Sequence, residues 1–322
     1  MMNQNETIPV ALAKCAEYDD PKLDDTVALL LDAIECRPTA GTKILVKPNL
    51  LAATPPDYLP CSHPAVVRAV CRRLLDLGAE VRVGDSPTFG NGAETARKIG
   101  LTKALSDLPV PIVKLDRPKW KRLSFGPIVP ISGAVLSADL IVSVPKLKAH
   151  HQTRITGAVK NVYGCVPGLR KPVLHLMYGD WGSCFERMLL ELWQELPPSF
   201  SLMDAVTAMH VHGPNNGQPY DLGLLAASRS PIALDSAVMH LLGLHPAQAP
   251  LWKTAERLGL PGSRLDDLTF PLEEPGCFSA AGFETPELLF PISFRPLPTL
   301  AHFIKKSRRT ALASSRFRGH QT

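Results

Sequence analysis

Clustered thiols are missing from this chain. Its seven cysteines stand at positions 15, 36, 61, 71, 165, 184 and 277, too far apart for the Cys-x-x-Cys spacing that holds zinc or an iron–sulfur cluster. Neither a Gly-x-x-x-x-Gly-Lys-Ser/Thr loop nor a Gly-x-Gly-x-x-Gly fingerprint occurs, which removes the P-loop and the standard dinucleotide cradle. A Gly-x-Ser-x-Gly elbow and a His-Glu-x-x-His helix are also absent, arguing against a serine hydrolase and a common zinc site. No apolar run approaches the ~20 residues of a membrane helix, and Met1 to Pro9 carries no apolar signal core, so no membrane span is expected and cytoplasm is the expected location. The most local absence is of negative charge: from Leu140 to Gly179 there is no Asp or Glu.

What fills that acid-free stretch is cationic. Lys146, Lys148, Arg154, Lys160, Arg170 and Lys171 lie in it, with His150, His151 and His175. A solvated face mixes both signs, so this segment reads as an anion-binding site. The chain's overall charge of +5 has another origin. Lys305, Lys306, Arg308, Arg309, Arg316 and Arg318 form an acid-free tail, and without them 29 Lys and Arg face 30 Asp and Glu. The tail, residues 301–322, reads as a flexible, solvated terminus. No nucleic-acid-binding pattern accompanies it. With 45% apolar and 20% charged residues, residues 1–300 read as a single globular α/β domain.

Periodicity predicts an α/β fold: a mostly parallel sheet with helices on both faces. Helices are expected over Leu23 to Ile34, from Pro64 to Gly78, and over Ala93 to Ile99. Strands are expected over Lys43 to Lys47, Glu80 to Val83, Val110 to Leu115, Leu140 to Val144 and Ser201 to Val206. The Pro-rich stretch from Lys119 to Val135 reads as a small antiparallel or irregular excursion.

Three of these strands end in polar, loop-forming clusters: Lys47-Pro48-Asn49, Gly84-Asp85-Ser86-Pro87 and Pro145-Lys146-Leu147-Lys148. Parallel strands bring such clusters to one edge, where α/β sheets bind ligands, so Asn49, Asp85 and Lys146 are expected in one crevice. If the third strand persists, Lys146, Lys148 and His150 share a face by period two. Lys160-Asn161 lies between Gly157 and Gly164, whose small size permits close backbone approach to a ligand. The candidate catalytic residues are His150, Lys148 and Asp85; those for binding are Asn49, Lys47, Lys146, Lys160, Asn161 and His175. A lysine here either binds carboxylate or phosphate, or with a depressed pKa moves a proton or forms a Schiff base. His150 and His175 suit acid–base work or anion hydrogen bonding. Asp85 and Asp204 read equally as turn caps at strand ends, and Asp235, inside an apolar helix begun by Ser230-Pro231, as a structural tie to a neighbouring loop.

Lys47-Pro48-Asn49-Leu50, Ser62-His63-Pro64, Gly84-Asp85-Ser86-Pro87, Pro145 to His150 and Gly157 to Asn161 follow one another in an order that resembles the domain of unknown function family 362. The likeness continues through Asp204, Gly213-Pro214, Gly217 and Ser230 to Asp235, covering roughly residues 40 to 260. Many members of that family carry ferredoxin-like iron–sulfur modules, so the resemblance implies a redox partner. Lacking clustered cysteines, this chain is expected to hold no cluster itself and to rely on an external ferredoxin-like carrier. The leading expectation is an enzyme for an anionic small molecule, with a redox link implied by the resemblance. Its alternatives are a noncatalytic anion- or cofactor-binding module docking on an iron–sulfur protein, and a metal-dependent hydrolase or lyase using His210, His212, His175 and Asp204.

Overall fold

A computed structural model describes residues 7–51, 59–88, 90–179 and 182–290; the basic tail lies outside them. The strands are β1 (Ile8–Lys14), β2 (Lys43–Pro48), β3 (Glu80–Val83), β4 (Pro118–Arg122), β5 (Ile128–Ser132), β6 (Leu140–Val144), β7 (Lys146–His150), β8 (Arg154–Thr156), β9 (Ser199–His210), β10 (Gln218–Ser228) and β11 (Leu268–Thr269). The helices are α1 (Leu23–Ala33), α2 (Pro64–Asp76), α3 (Gly92–Lys98), α4 (Leu101–Ala104), α5 (Gly133–Leu136), α6 (Ala158–Asn161), α7 (Arg170–Tyr178), α8 (Cys184–Gln194), α9 (Pro231–Leu241) and α10 (Pro250–Arg257).

The main sheet runs β11-β1-β10-β9-β6-β2-β3, with β7 attached along β9 and β8 paired antiparallel to β7. The β2/β3, β2/β6, β6/β9, β7/β9 and β1/β11 pairs are parallel, and antiparallel pairing enters where β10 lies between β9 and β1. The sheet is thus mostly parallel, with helices on both faces, and β4 and β5 form the separate antiparallel excursion. Alternation along each strand divides the core. Ala11, Ala13, Ile44, Val46, Val142 and Leu202 face α1 and α2. On the opposite side Leu45 and Ile141 pack with α8, and Val10, Leu12 and Met203 with α9.

Local chemistry explains the helix boundaries. Pro64 starts α2 at a position that needs no N–H donor, and the His63 side chain accepts from the Ala65 N–H. Val66, Val67, Val70 and Leu74 then recur at helical spacing and are fully buried. Truncating one of them, as in Leu74→Ala, removes packing worth about 2–5 kcal/mol. Ser230 caps α9 through Ala233 N–H, again just before a proline.

Two expectations change. Val110 to Leu115 forms no strand; it makes only a bridge from Ile112 to Val83, since Pro111 cannot donate to a ladder. Asp204 lies inside β9 and not at its end, because β9 runs twelve residues beside both β6 and β7. Pro145 separates β6 from β7, and Asp204 N–H bonds its carbonyl at 2.8 Å. The chain thereby continues past the ends of β2 and β3 and raises one wall above the sheet edge.

Candidate functional site

Above the carboxyl ends of β2 and β3 lies a cavity of about 530 Å³, within the size range of metabolite pockets. Asn49 and Asp85 come to it from the two strand ends, Lys148 and His150 from β7, Lys160 and Asn161 from α6, and Lys171 and His175 from α7. Asp85 is the carboxylate among its described lining residues, against the three lysines, and His151 lines it as well.

The floor is a polar lattice. Lys47, 1% exposed, pairs with Asp85 at 2.8 Å and donates to Asn161 Oδ1 and the Pro48 carbonyl, both at 3.0 Å. The other Asp85 oxygen accepts Leu50 N–H at 2.7 Å. Asn161 also accepts from Asn49 Nδ2 at 3.2 Å and donates to Ser143 Oγ at 2.8 Å. Asn49 Oδ1 in turn accepts from Lys148 Nζ at 3.0 Å, whose second acceptor is the Pro60 carbonyl at 2.7 Å. Ordinary buried side chains of this length would cost several kcal/mol unpaired, so the cross-links explain how Lys47 and Lys148 are tolerated inside. Gly164 passes so near the ion pair that a Cβ there would overlap both Asp85 Oδ1 and Lys47 Nζ.

The lysines facing the cavity have few counter-charges. Burial, and then the charges of Lys146 and Lys47 against those of Cys61 and Asp85, lowers Lys148 to about 8. Burial also lowers Lys171 to about 8; its ammonium donates to the Ser86 carbonyl. Lys160 falls further, to about 7, through burial and the Lys148 charge, opposed by Glu186 of α8. His175, stacked on Phe185 with ring centroids 4.2 Å apart, is brought to about 3 by burial and by Lys160.

His150 and Lys160 meet at 2.9 Å, Nε2 to Nζ. The other ring nitrogen, Nδ1, accepts the N–H groups of Gln152 at 2.9 Å and Thr153 at 3.3 Å. Desolvation and the neighbouring Lys160 and Lys148 hold His150 well below its ordinary pKa, keeping the imidazole neutral. The backbone behind Lys160 is fixed by Asp235, whose two oxygens accept Ala158 N–H at 2.6 Å and Val159 N–H at 3.0 Å. That is the expected structural tie from α9. Gly157 leaves room for it: a Cβ there would overlap the Asp235 carboxylate.

The cavity thus gathers Asn49, Asp85, Lys148, His150, Lys160, Asn161 and His175; Lys47 lies beneath it, joined through Asp85 and Asn161. Lys146 does not enter it. Its ammonium turns to Tyr18 OH at 2.6 Å and Asp204 at 3.0 Å, beside a neighbouring hollow lined by Tyr18 and His63. The single crevice expected for Asn49, Asp85 and Lys146 is therefore divided, with Lys146 satisfied by a carboxylate outside the acid-free stretch. Lys171, Tyr163 and the Gly213 to Asn215 loop also line the cavity. Of these, Lys171 carried a sequence signal, as one of the unbalanced cations, and was not among the selected residues. His175 approaches from helix α7. His210 lies apart, against Tyr220 and Phe283. Among the described residues no three His, Cys, Asp or Glu side chains are grouped to hold a metal, and no helix is long and apolar enough to cross a membrane.

Comparison with known proteins places these residues in a family. The chain matches the domain of unknown function DUF362 over residues 44–240 and belongs to it. A thylakoid-associated protein of Synechocystis sp. is 36% identical over 256 residues, 79% of each chain. Among solved structures, one from Thermotoga maritima aligns with TM-score 0.46 and 14% identity, over 68% of this chain and 57% of that one. The lactate racemase apoprotein of Thermoanaerobacterium thermosaccharolyticum aligns with TM-score 0.44 and 12% identity, over 70% and 55%. The chain spans just over half the length of these two structures.

Proposed function

We propose that the cavity binds a small molecule through a carboxylate or phosphate group and that the protein is an enzyme acting on it. The observation that carries this reading is the charge imbalance: Lys148, Lys160 and Lys171 border one cavity whose carboxylate, Asp85, is already paired with Lys47. Crowding cations in a poorly solvated space costs free energy, as their lowered pKa values record. An entering anion relieves that cost and gains charge-assisted hydrogen bonds. In this reading Lys148 and Lys171 hold the anion, Asn49 and Asn161 fix the floor, and His150 with Lys160 moves the proton. Asp85 acts through Lys47, as its counter-charge. The redox link to an external ferredoxin-like protein rests on the family resemblance alone.

Thermal-shift titration with a panel of mono- and dicarboxylates and phosphate esters tests the proposal. At least one class is expected to raise the midpoint, and the stabilisation is expected to weaken above about pH 8, where Lys148 and Lys171 lose their protons. Lys148→Met is expected to weaken binding by about ten- to a hundredfold, as loss of one charge-assisted bond does. A folded protein that no anion stabilises, or a Lys148→Met variant that binds as tightly as the parent, overturns it.

A further inference from the structure

We infer that Lys160 is a nucleophilic free amine that forms a Schiff base with the carbonyl carbon of a 2-oxo or aldehydic acid. This rests on the reading of the cavity as a carboxylate site and names the reactive group its ligand carries.

Hydrogen-bond accounting at His150 carries the inference. A neutral imidazole has one N–H and one lone-pair nitrogen. Two backbone N–H groups, from Gln152 and Thr153, converge on Nδ1, so Nδ1 is the lone-pair side and the hydrogen resides on Nε2. Nε2 faces Lys160 Nζ at 2.9 Å. A hydrogen already fills that line, and an ammonium there would oppose donor to donor. The contact is a hydrogen bond only when Lys160 offers a lone pair, that is, as the free amine. The surroundings agree: burial and then the Lys148 charge on β7 disfavour a charge on Lys160, Glu186 on α8 opposes them, and His175 on α7, itself held neutral, adds no charge. Asp235 holds the start of α6, so the Lys160 stem swings from a fixed backbone.

A half-buried neutral amine beside protonated lysines suits a substrate carrying a carbonyl next to an acid. The acid is held by Lys148 or Lys171, and the amine lone pair forms the N–C bond while the carbonyl π pair moves to oxygen. Transfer of both amine hydrogens to that oxygen and loss of water leave the C=N bond. The step is redox-neutral and needs no co-reactant.

The test uses the full chain at pH 7 with pyruvate and sodium cyanoborohydride, followed by peptide mapping. Propionate, which lacks the carbonyl, serves in parallel thermal-shift titrations. The reduced adduct is expected on Lys160 at least about tenfold faster than on any surface lysine, whose amines are almost wholly protonated at this pH. Its rate should have a midpoint near pH 7, and Lys160→Arg should abolish it. An adduct spread over surface lysines, or none at all, while propionate still stabilises the protein, overturns the Schiff base and leaves the carboxylate site standing. No adduct and no stabilisation by either acid removes both.

Discussion

Replacing Asp85 by Asn asks whether that carboxylate performs chemistry or balances charge. The Lys47 and Asp85 side chains are 1% and 6% exposed and lie 2.8 Å apart, so water cannot take over for a missing partner. In Asp85→Asn the amide oxygen can keep the Leu50 N–H bond, which directs the NH₂ group toward the Lys47 ammonium, donor against donor. Removing one member of a buried pair costs about 3–5 kcal/mol. The Asn variant belongs at the lower end of that range; Asp85→Ala, which also strands Leu50 N–H, belongs at the upper end. Urea unfolding followed by circular dichroism measures the difference, with an unchanged denaturant slope as the check on two-state behaviour. Adding Lys47→Met to Asp85→Asn removes the stranded charge and should recover a substantial part of the loss, giving a favourable coupling in the double-mutant cycle. An Asp85→Asn variant within about 0.5 kcal/mol of the parent, inside the range of innocuous surface changes, would refute the counter-charge role and return Asp85 to the list of catalytic groups.

Gly164→Ala should be comparably damaging, because its Cβ would overlap both members of that ion pair; a thermal midpoint equal to the parent's would mean the pair can move aside. The pH dependence of stability should change in Lys160→Met. Lys160 releases its proton near pH 7 when folded and near ~10.4 when unfolded, so between these values the unfolded chain binds more protons. Raising the pH through that window therefore stabilises the parent relative to the variant, by up to about 1.4 kcal/mol per pH unit; a flat difference from pH 7 to 10 would contradict it. The purified protein is also expected to carry no stoichiometric iron–sulfur cluster, its cysteines being dispersed; iron and acid-labile sulfide in integral ratio to the chain would refute this.

Much of the sheet and part of the cavity were legible in the residues, for identifiable reasons. Glu80–Val83 alternates charged and apolar residues, Leu140–Val144 is an apolar run, both are closed by turn formers, and their bounds match the strands. The period-two argument linked Lys148 to His150 because β7 is regular there. It failed to tell that Lys146 serves another hollow, since that depends on Asp204 and Tyr18, far along the chain. The antiparallel β9–β10 pair escaped for a similar reason. Partners such as Tyr220 and Ala208 are chosen by register across a turn, which one strand's pattern does not encode. The state of Lys160 was likewise out of reach: lysine spacing says nothing about two backbone N–H groups turning on His150 Nδ1.

Gly157 and Asp235 have a consequence for how this sequence can drift. Any side chain introduced at 157 meets the carboxylate at 235, while shortening 235 first strands the Ala158 and Val159 N–H groups inside the protein. Each single step is worse than the starting point, so the two positions form an evolutionary ratchet that neither can leave alone. Descendants that had lost every lysine around the cavity would still be held to the same glycine and aspartate. In a set of diverged relatives this pair therefore marks inheritance of the scaffold, and retention of Lys160 and His150 would separately mark inheritance of the proposed chemistry.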